Sequence, residues 1–201
     1  MEDAAYRELR FSGLDEPSAL ALRRHASRVI YVGTYSKPFA TGARVGFGVL
    51  PEPVFTTVER IKGNHDFGTS NVLQCLLASA LESGHYDRHL AILRRRYRHK
   101  AETMTAAARR HFSASVQWRE PQGGLYLWAA LPGGVSAGVN SRVFRAALER
   151  GVLYVPGQLC YAPDPRRRRP AHELRLSFGG ATTDQITRGM ARLGGVLRAM
   201  V

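Results

Sequence analysis

A lysine just past the carboxyl end of a buried strand can act as an amine nucleophile, and the residues around Lys37 suit one chemistry. The stretch reads Gly33-Thr-Tyr-Ser-Lys37-Pro-Phe-Ala-Thr-Gly42-Ala-Arg44-Val-Gly46. In open α/β sheets, ligands bind beyond the carboxyl ends of the strands. Arg44 follows seven residues after the lysine, where the next strand should begin, and Thr34 and Ser36 flank the lysine with hydroxyls. A phosphate-bearing aldehyde needs these parts. The amine forms a Schiff base, the guanidinium clamps the phosphate through two parallel hydrogen bonds, and the hydroxyls donate to it. The same spacing also fits an exposed loop lysine and a strand-end arginine in a surface ion pair. By themselves the residues leave these two readings level.

The elements that must position these groups follow from periodicity and punctuation. The apolar run Val29-Ile-Tyr-Val-Gly33 predicts a buried strand. Residues 34–42 form a loop, and residues 44–50 a second strand. Pro51 and Pro53 open a helix to about Lys62, and residues 63–68 return to loop. Thr69 or Ser70 caps a helix to about Leu81, which Gly84 breaks. Residues 86–111 hold Leu90, Leu93, Tyr97 and Met104 at helical spacing without glycine or proline, which predicts one long helix. Strands follow at 115–118 and 125–131 around Pro121-Gln-Gly-Gly124, then a helix over 141–149. A strand at 152–155 stops at Pro156-Gly157. Residues 173–178 set Leu174, Leu176 and Phe178 on one strand face, and a last helix runs over 182–200. The order is α/β and then α+β, with a boundary inside the long helix that gives domains 1–90 and 91–201.

With the elements laid out, the chain resembles the class I/II (fold type I) aminotransferases that depend on pyridoxal 5'-phosphate, close to the 2-aminoadipate aminotransferase and regulator-fused branch. The lysine stretch is similar to the family signature S-x-S-K-x-x-x-P-G-x-R-x-G. It departs at Thr34, serine in many relatives, at Pro38, usually threonine, and at Thr41, where proline is common. The resemblance implies that Lys37 is the catalytic, cofactor-linked lysine and that Thr34, Ser36 and Arg44 bind the phosphate. Asp3-Ala-Ala-Tyr6 is similar to the family's D-x-x-Y element. Asp3 would keep the pyridine nitrogen protonated so that the ring accepts electrons, and Tyr6 would hydrogen-bond the ring's phenolic oxygen. Arg175, in Arg175-Leu-Ser-Phe178, matches the family's R-L-x-F strand and would hold the substrate carboxylate. The P-x-G-G hairpin at 121–124 and the P-G turn at 156–157 read as structural, with Tyr126 and Trp128 as core. Asn71 and Gln74 match a helix start near the family's dimer interface.

The resemblance also implies a fold: the C-terminal half of the large transferase domain, a partial, mainly parallel sheet with helices, joined to a small α+β domain. Relatives carry a long segment before the D-x-x-Y element that supplies a phosphate-binding helix start, an aromatic ring stacked on the cofactor, and most strands of the large sheet. The expectation is therefore a truncated homologue, without a strand to present Asp3 and with an unpaired sheet edge. A non-catalytic, aminotransferase-like sensor domain of a transcription regulator is the alternative function. The partners that the resemblance implies are an amino acid, a 2-oxo acid and, in full-length relatives, a second copy of the chain as a homodimer.

Composition narrows the rest. With 44% apolar and 22% charged residues, the chain has the make-up of an ordinary globular protein. No apolar run approaches ~20 residues, so no membrane span is expected. The acidic start Met1-Glu-Asp predicts no secretory signal. Two distant cysteines outside any CxxC pattern suit a reducing compartment, hence a cytoplasmic location. The histidines show no metal-ligand spacing. A net charge of +13 admits nucleic acid as a partner. Arg94–Arg96 read as a solvated helix face, however, and Arg166–Arg169 as a surface loop between Pro165 and Pro170. Nucleic acid is not the expected partner.

Overall fold

The computed structural model describes residues 1–200, the side chains at 23, 25 and 26 excepted. Strand β2 (Tyr31–Thr34) forms from the β-branched and aromatic run seen in the sequence. Strand β1 (Glu2–Asp3) lies parallel to it, pairing Glu2 with Tyr31 and Asp3 with Val32. Backbone bonds extend the match on both sides, from Glu2 N to Ile30 O (2.7 Å) and from Ala4 N to Val32 O (2.8 Å). The expectation that no strand presents Asp3 is therefore corrected. Two residues suffice, because the open edge of β2 satisfies their backbone groups.

Strand β3 (Gly46–Val49) adds antiparallel on the other side of β2, giving the order β1-β2-β3. It begins later than the sequence suggests. Arg44 has a φ of 49° and ends a 3₁₀ turn over Thr41–Ala43, a left-handed conformation outside the strand region.

Helix α1 (Val54–Asp66) starts just after Pro53 and runs on through Gly63, where the sequence predicts a loop. Glycine costs a helix about 1 kcal/mol relative to alanine. The turn around Gly63 is nevertheless closed by Lys62 bonding Asp66 at 2.6 Å, while Asp66 also accepts from Gly68 N at 2.9 Å. Helix α2 (Asn71–Glu82) and the 27-residue α3 (His85–His111) complete the helical middle. The chain divides into two compact units, Met1–Arg95 and Arg96–Val201. The first unit exposes many large apolar side chains, among them Phe47, Phe55, Ile61, Phe67, Val72 and Leu76.

The second unit is an antiparallel sheet backed by helices. Its strands are β4 (Gln117–Trp118), β5 (Tyr126–Ala130), β6 (Val155–Pro156) and β7 (Glu173–Ser177), in the order β4-β5-β7-β6. Helix α4 (Arg142–Glu149) is capped by Ser141 Oγ, which accepts from Phe144 N at 3.0 Å. Helix α5 (Thr183–Arg198) opens with a capping box in which Thr182 and Gln185 each bond the other's backbone N–H. Strand β6 is shorter than expected because Val152 N turns back to Ala147 O (2.8 Å) and so belongs to the exit of α4.

Leu127, Ala129, Leu174 and Phe178 are fully buried, together with Leu193 and Leu197 of α5. The period of two in a strand then sends Tyr126, Trp128 and Arg175 to the other face. Tyr126 and Trp128 are half-buried, so the expectation that they belong to the core is corrected.

Helix α5 crosses the end of α3 closely enough that a Cβ on Gly194 would stand 2.5 Å from His111 O and 2.9 Å from His111 C. Backbone cannot give way as a side-chain tip can. Gly194→Ala is expected to destabilise the protein by about 1–3 kcal/mol, the usual cost of overpacking. Chemical denaturation should show a lower midpoint with an unchanged slope.

Candidate functional site

The first unit brings its chemistry-bearing residues to one end of its sheet. Because β1 and β2 are parallel, their carboxyl ends share an edge. Asp3 and Tyr6 therefore emerge beside Thr34, Ser36 and Lys37. The link from β2 to β3 starts and ends at that same edge. Tyr35 N donates to Val45 O (2.9 Å), which returns the chain next to Arg44. Between these points Phe39 N and Ala40 N both bond Tyr35 O, at 3.0 and 3.2 Å, folding residues 35–40 into a tight turn with Lys37 at its centre.

Lys37 is half-buried, and its Nζ lies 5.9 Å from the centroid of the Tyr6 ring. This is a cation–π distance, and it joins two residues that the sequence could link only through the resemblance. Ser36 is buried, 7% exposed, and its amide donates to Thr34 Oγ1 at 3.1 Å. The Thr34 hydroxyl also contacts Val45 O at 3.3 Å. That is long for a hydroxyl donor, so an anion nearby would compete for the proton. Arg44 is exposed and makes no ion pair or hydrogen bond among the described residues. Asp3 is exposed, and its Oδ1 accepts from Ala5 N at 3.0 Å. A half-buried amine, an unengaged guanidinium and a buried serine as donors, with a carboxylate as acceptor, make a set of groups that fits a phosphate-bearing carbonyl compound with a basic ring nitrogen.

Support for this edge comes from residues that no spacing rule singles out. Tyr86 of α3 is 3% exposed and donates to Glu8 Oε2 at 2.5 Å. Burial, and then the Glu8 carboxylate, push the Tyr86 phenol up from its ordinary range, so it remains a donor. Arg94 Nε donates to Glu8 O at 2.7 Å, and His89 Nε2 lies 2.9 Å from Phe39 O. Only the folded chain brings Glu8 and Tyr86 together, since 78 positions separate them.

Arg175 belongs to the second unit. Its guanidinium carbon stands 4.3 Å from the centroid of Tyr126, and its Nε is buried with no hydrogen-bond partner among the described residues. A buried donor without a partner costs ~1–3 kcal/mol, so the position suits an arriving acceptor. A cavity of about 610 Å³ beside β4 and β5 is lined by Trp118, Arg119 and Trp128, among others. None of the predicted site residues lines it. Asn71 and Gln74 are exposed on α2; Gln74 Nε2 donates to Thr69 O at 2.8 Å, which occupies it locally. Among the described residues no cluster of three metal-ligating side chains occurs, and no helix is long and apolar enough to cross a membrane.

This α/β sheet edge, with its lysine turn and separate antiparallel unit, is an aminotransferase architecture: the chain belongs to the aminotransferase class I and II family, whose model matches residues 1–193. It is 36% identical over its whole length to the 2-aminoadipate transaminase of Thermus thermophilus, of which it covers 49%. It superposes with a TM-score of 0.86, at 35% identity, on the crystal structure of LysN from the same organism. LysN is an alpha-aminoadipate aminotransferase, complexed there with N-(5'-phosphopyridoxyl)-L-leucine; the match covers 99% of this chain and 50% of that one. It is also 30% identical, over 94% of its length, to the HTH-type transcriptional regulator YisV of Bacillus subtilis, covering 37% of that protein. The chain thus spans about half the length, or less, of the relatives it matches.

Proposed function

We propose that these residues serve a pyridoxal-phosphate-dependent aminotransferase, moving an amino group between an L-amino acid and a 2-oxo acid within a full-length enzyme of this family. Residues 1–90 contribute to the large cofactor-binding domain and residues 91–201 form the small domain. The observation that carries this is the Lys37 amine set over the Tyr6 ring, on the edge where β1 and β2 end together.

When bound, pyridoxal phosphate supplies an electron sink next to the substrate α-carbon. The chain supplies the rest. Lys37 Nζ would hold the cofactor at its aldehyde carbon, whose oxygen leaves as water, and would carry the substrate α-proton. Ser36, Arg44 and Thr34 would bind the phosphate oxygens; Arg44 stands in a left-handed conformation just before β3. Asp3 would hold a proton on the ring nitrogen, and Tyr6 would donate to the ring oxygen. Arg175 grips the substrate carboxylate through two guanidinium nitrogens.

The apolar side chains exposed by α1 and α2 fit burial against further protein, including the second copy that a homodimer provides. Cys75 and Cys160 are both free, which suits the cytoplasm.

The test is spectroscopic. Purified chain mixed with pyridoxal phosphate should develop the visible band of a lysine imine. Borohydride should fix the cofactor on the peptide holding Lys37. A chain that shows no band, even when supplied with the N-terminal half of a full-length relative, sinks the proposal. The match to YisV favours a second reading, a sensor domain that binds the cofactor without turnover. Conversion of the bound cofactor to its pyridoxamine form by an amino acid separates the two, since only the enzyme gives it.

A further inference from the structure

Lys37 and Tyr6 sit on two chain segments that share little backbone pairing beyond β1 and β2. One is the 3₁₀ turn Arg7–Leu9 with the residues before it, and the other is the turn over residues 35–40. We propose that Tyr86 is a positioning residue that locks these two segments together and so sets Lys37 against Tyr6; this rests on the cofactor role given to Lys37 above.

The geometry is specific. The Tyr86 hydroxyl holds Glu8, two residues after Tyr6, at 2.5 Å. Its ring meets Tyr35 edge-on, with centroids 5.8 Å apart and planes at 78°, and meets Phe39 at 5.8 Å and 31°. Tyr35 and Phe39 are the aromatic residues two places before and two places after Lys37. One buried side chain therefore touches the support of Tyr6 through its oxygen and both shoulders of Lys37 through its ring. The contact continues outward on each side. Phe47 of β3 packs on Tyr35 at 5.6 Å, and His89 packs edge-on against Phe39 at 5.8 Å. Helix α3 fixes Glu8 a second time through Arg94. A buried phenol bonded to a carboxylate has charge-assisted strength, and T-shaped aromatic pairs prefer one orientation. Both properties favour one setting of the turn over a sliding one.

Two substitutions separate the oxygen from the ring. Tyr86→Phe removes only the bond to Glu8, and Tyr86→Leu removes the aromatic contacts as well. Leu77→Ala, at a buried site in α2, reports general destabilisation while leaving the Tyr86, Glu8, Tyr35 and Phe39 side chains themselves unchanged. In the chain without cofactor, hydrogen exchange is followed at residues 4–9 and 35–40. Tyr86→Phe should speed exchange in both segments together, by about tenfold, the scale of one charge-assisted hydrogen bond, and Tyr86→Leu should exceed it. With pyridoxal phosphate, the induced circular dichroism of the lysine-linked band should fall in the same order. Leu77→Ala should leave that signal intact at an equal loss of melting temperature.

Exchange that rises in one segment alone, or no more than in Leu77→Ala, overturns the proposal. A wild-type chain that shows no cofactor band even with the N-terminal half of a full-length relative added removes the cofactor reading, while the exchange arm still decides whether Tyr86 couples the segments.

Discussion

In the proposed aminotransferase, replacing Lys37 with alanine should abolish covalent capture of the cofactor and lower amino-group transfer by at least ~10²–10⁴-fold, the usual contribution of a positioned acid–base group. The fold should survive. Lys37 Nζ makes no ion pair or hydrogen bond among the described residues, and what it faces is the Tyr6 ring at 5.9 Å. The side chain is half-buried in a turn held by backbone bonds from Phe39 and Ala40 to Tyr35 O. Stability should therefore stay within ~1 kcal/mol of the parent, the scale of the one cation–π contact that is lost. The measurement pairs two signals on one sample: absorbance after addition of pyridoxal phosphate, and the urea midpoint. Loss of the band with no more than that small change in midpoint fits a chemical role. An intact band would move the Schiff base to another lysine and remove Lys37 from the site.

The parts of this architecture that the sequence made legible are those set by local rules. The long α3 helix, the last helix starting near Thr182 and the alternation of Leu174, Leu176 and Phe178 each follow from periodicity or local punctuation within a few residues. The errors fall where a side-chain bond or a tertiary partner overrides the signal of a single residue. Glycine at 63 reads as a helix breaker, yet the helix continues to Asp66. Glu2 and Asp3 are too few to announce a strand, and they become one because β2 offers an edge. Tyr126 and Trp128 look like core by composition, but β5 buries Leu127 and Ala129 instead and gives the aromatic residues to the face that holds Arg175. Within the candidate site, Lys37, Thr34, Ser36 and Arg44 stand close in sequence and are legible as one stretch. The carboxylate–phenol pair of Glu8 and Tyr86 is not, because no rule of spacing connects residues that far apart.

In the proposed enzyme, Arg175→Ala should raise the KM for the amino acid and for the 2-oxo acid together, by roughly 30- to 4,000-fold. This corresponds to the ~2–5 kcal/mol lost when one partner of a buried, hydrogen-bonded charge pair is removed. The prediction follows from how β7 presents the residue. Leu174 and Leu176 anchor the strand in the core and aim Arg175 to the opposite face, opposite Trp128 in register. Tyr126 packs against the guanidinium at 4.3 Å and restricts its plane. A guanidinium held flat offers two parallel N–H donors to a carboxylate without first losing side-chain freedom. Its Nε is already buried and lacks a partner, so part of the desolvation cost has been met before substrate arrives.

Arg175→Lys tests this geometry more sharply than alanine does. It keeps the charge but loses the fork and the flat stacking surface. If the two parallel bonds matter, lysine should recover less than a tenth of the lost kcat/KM. A full recovery would mean that only the positive charge is needed, and a KM unchanged in Arg175→Ala would show that another group holds the carboxylate. Substrate analogues without the carboxylate supply the final control. Their weak binding should be the same in the parent and in both variants, because the interaction under test is then absent from every complex.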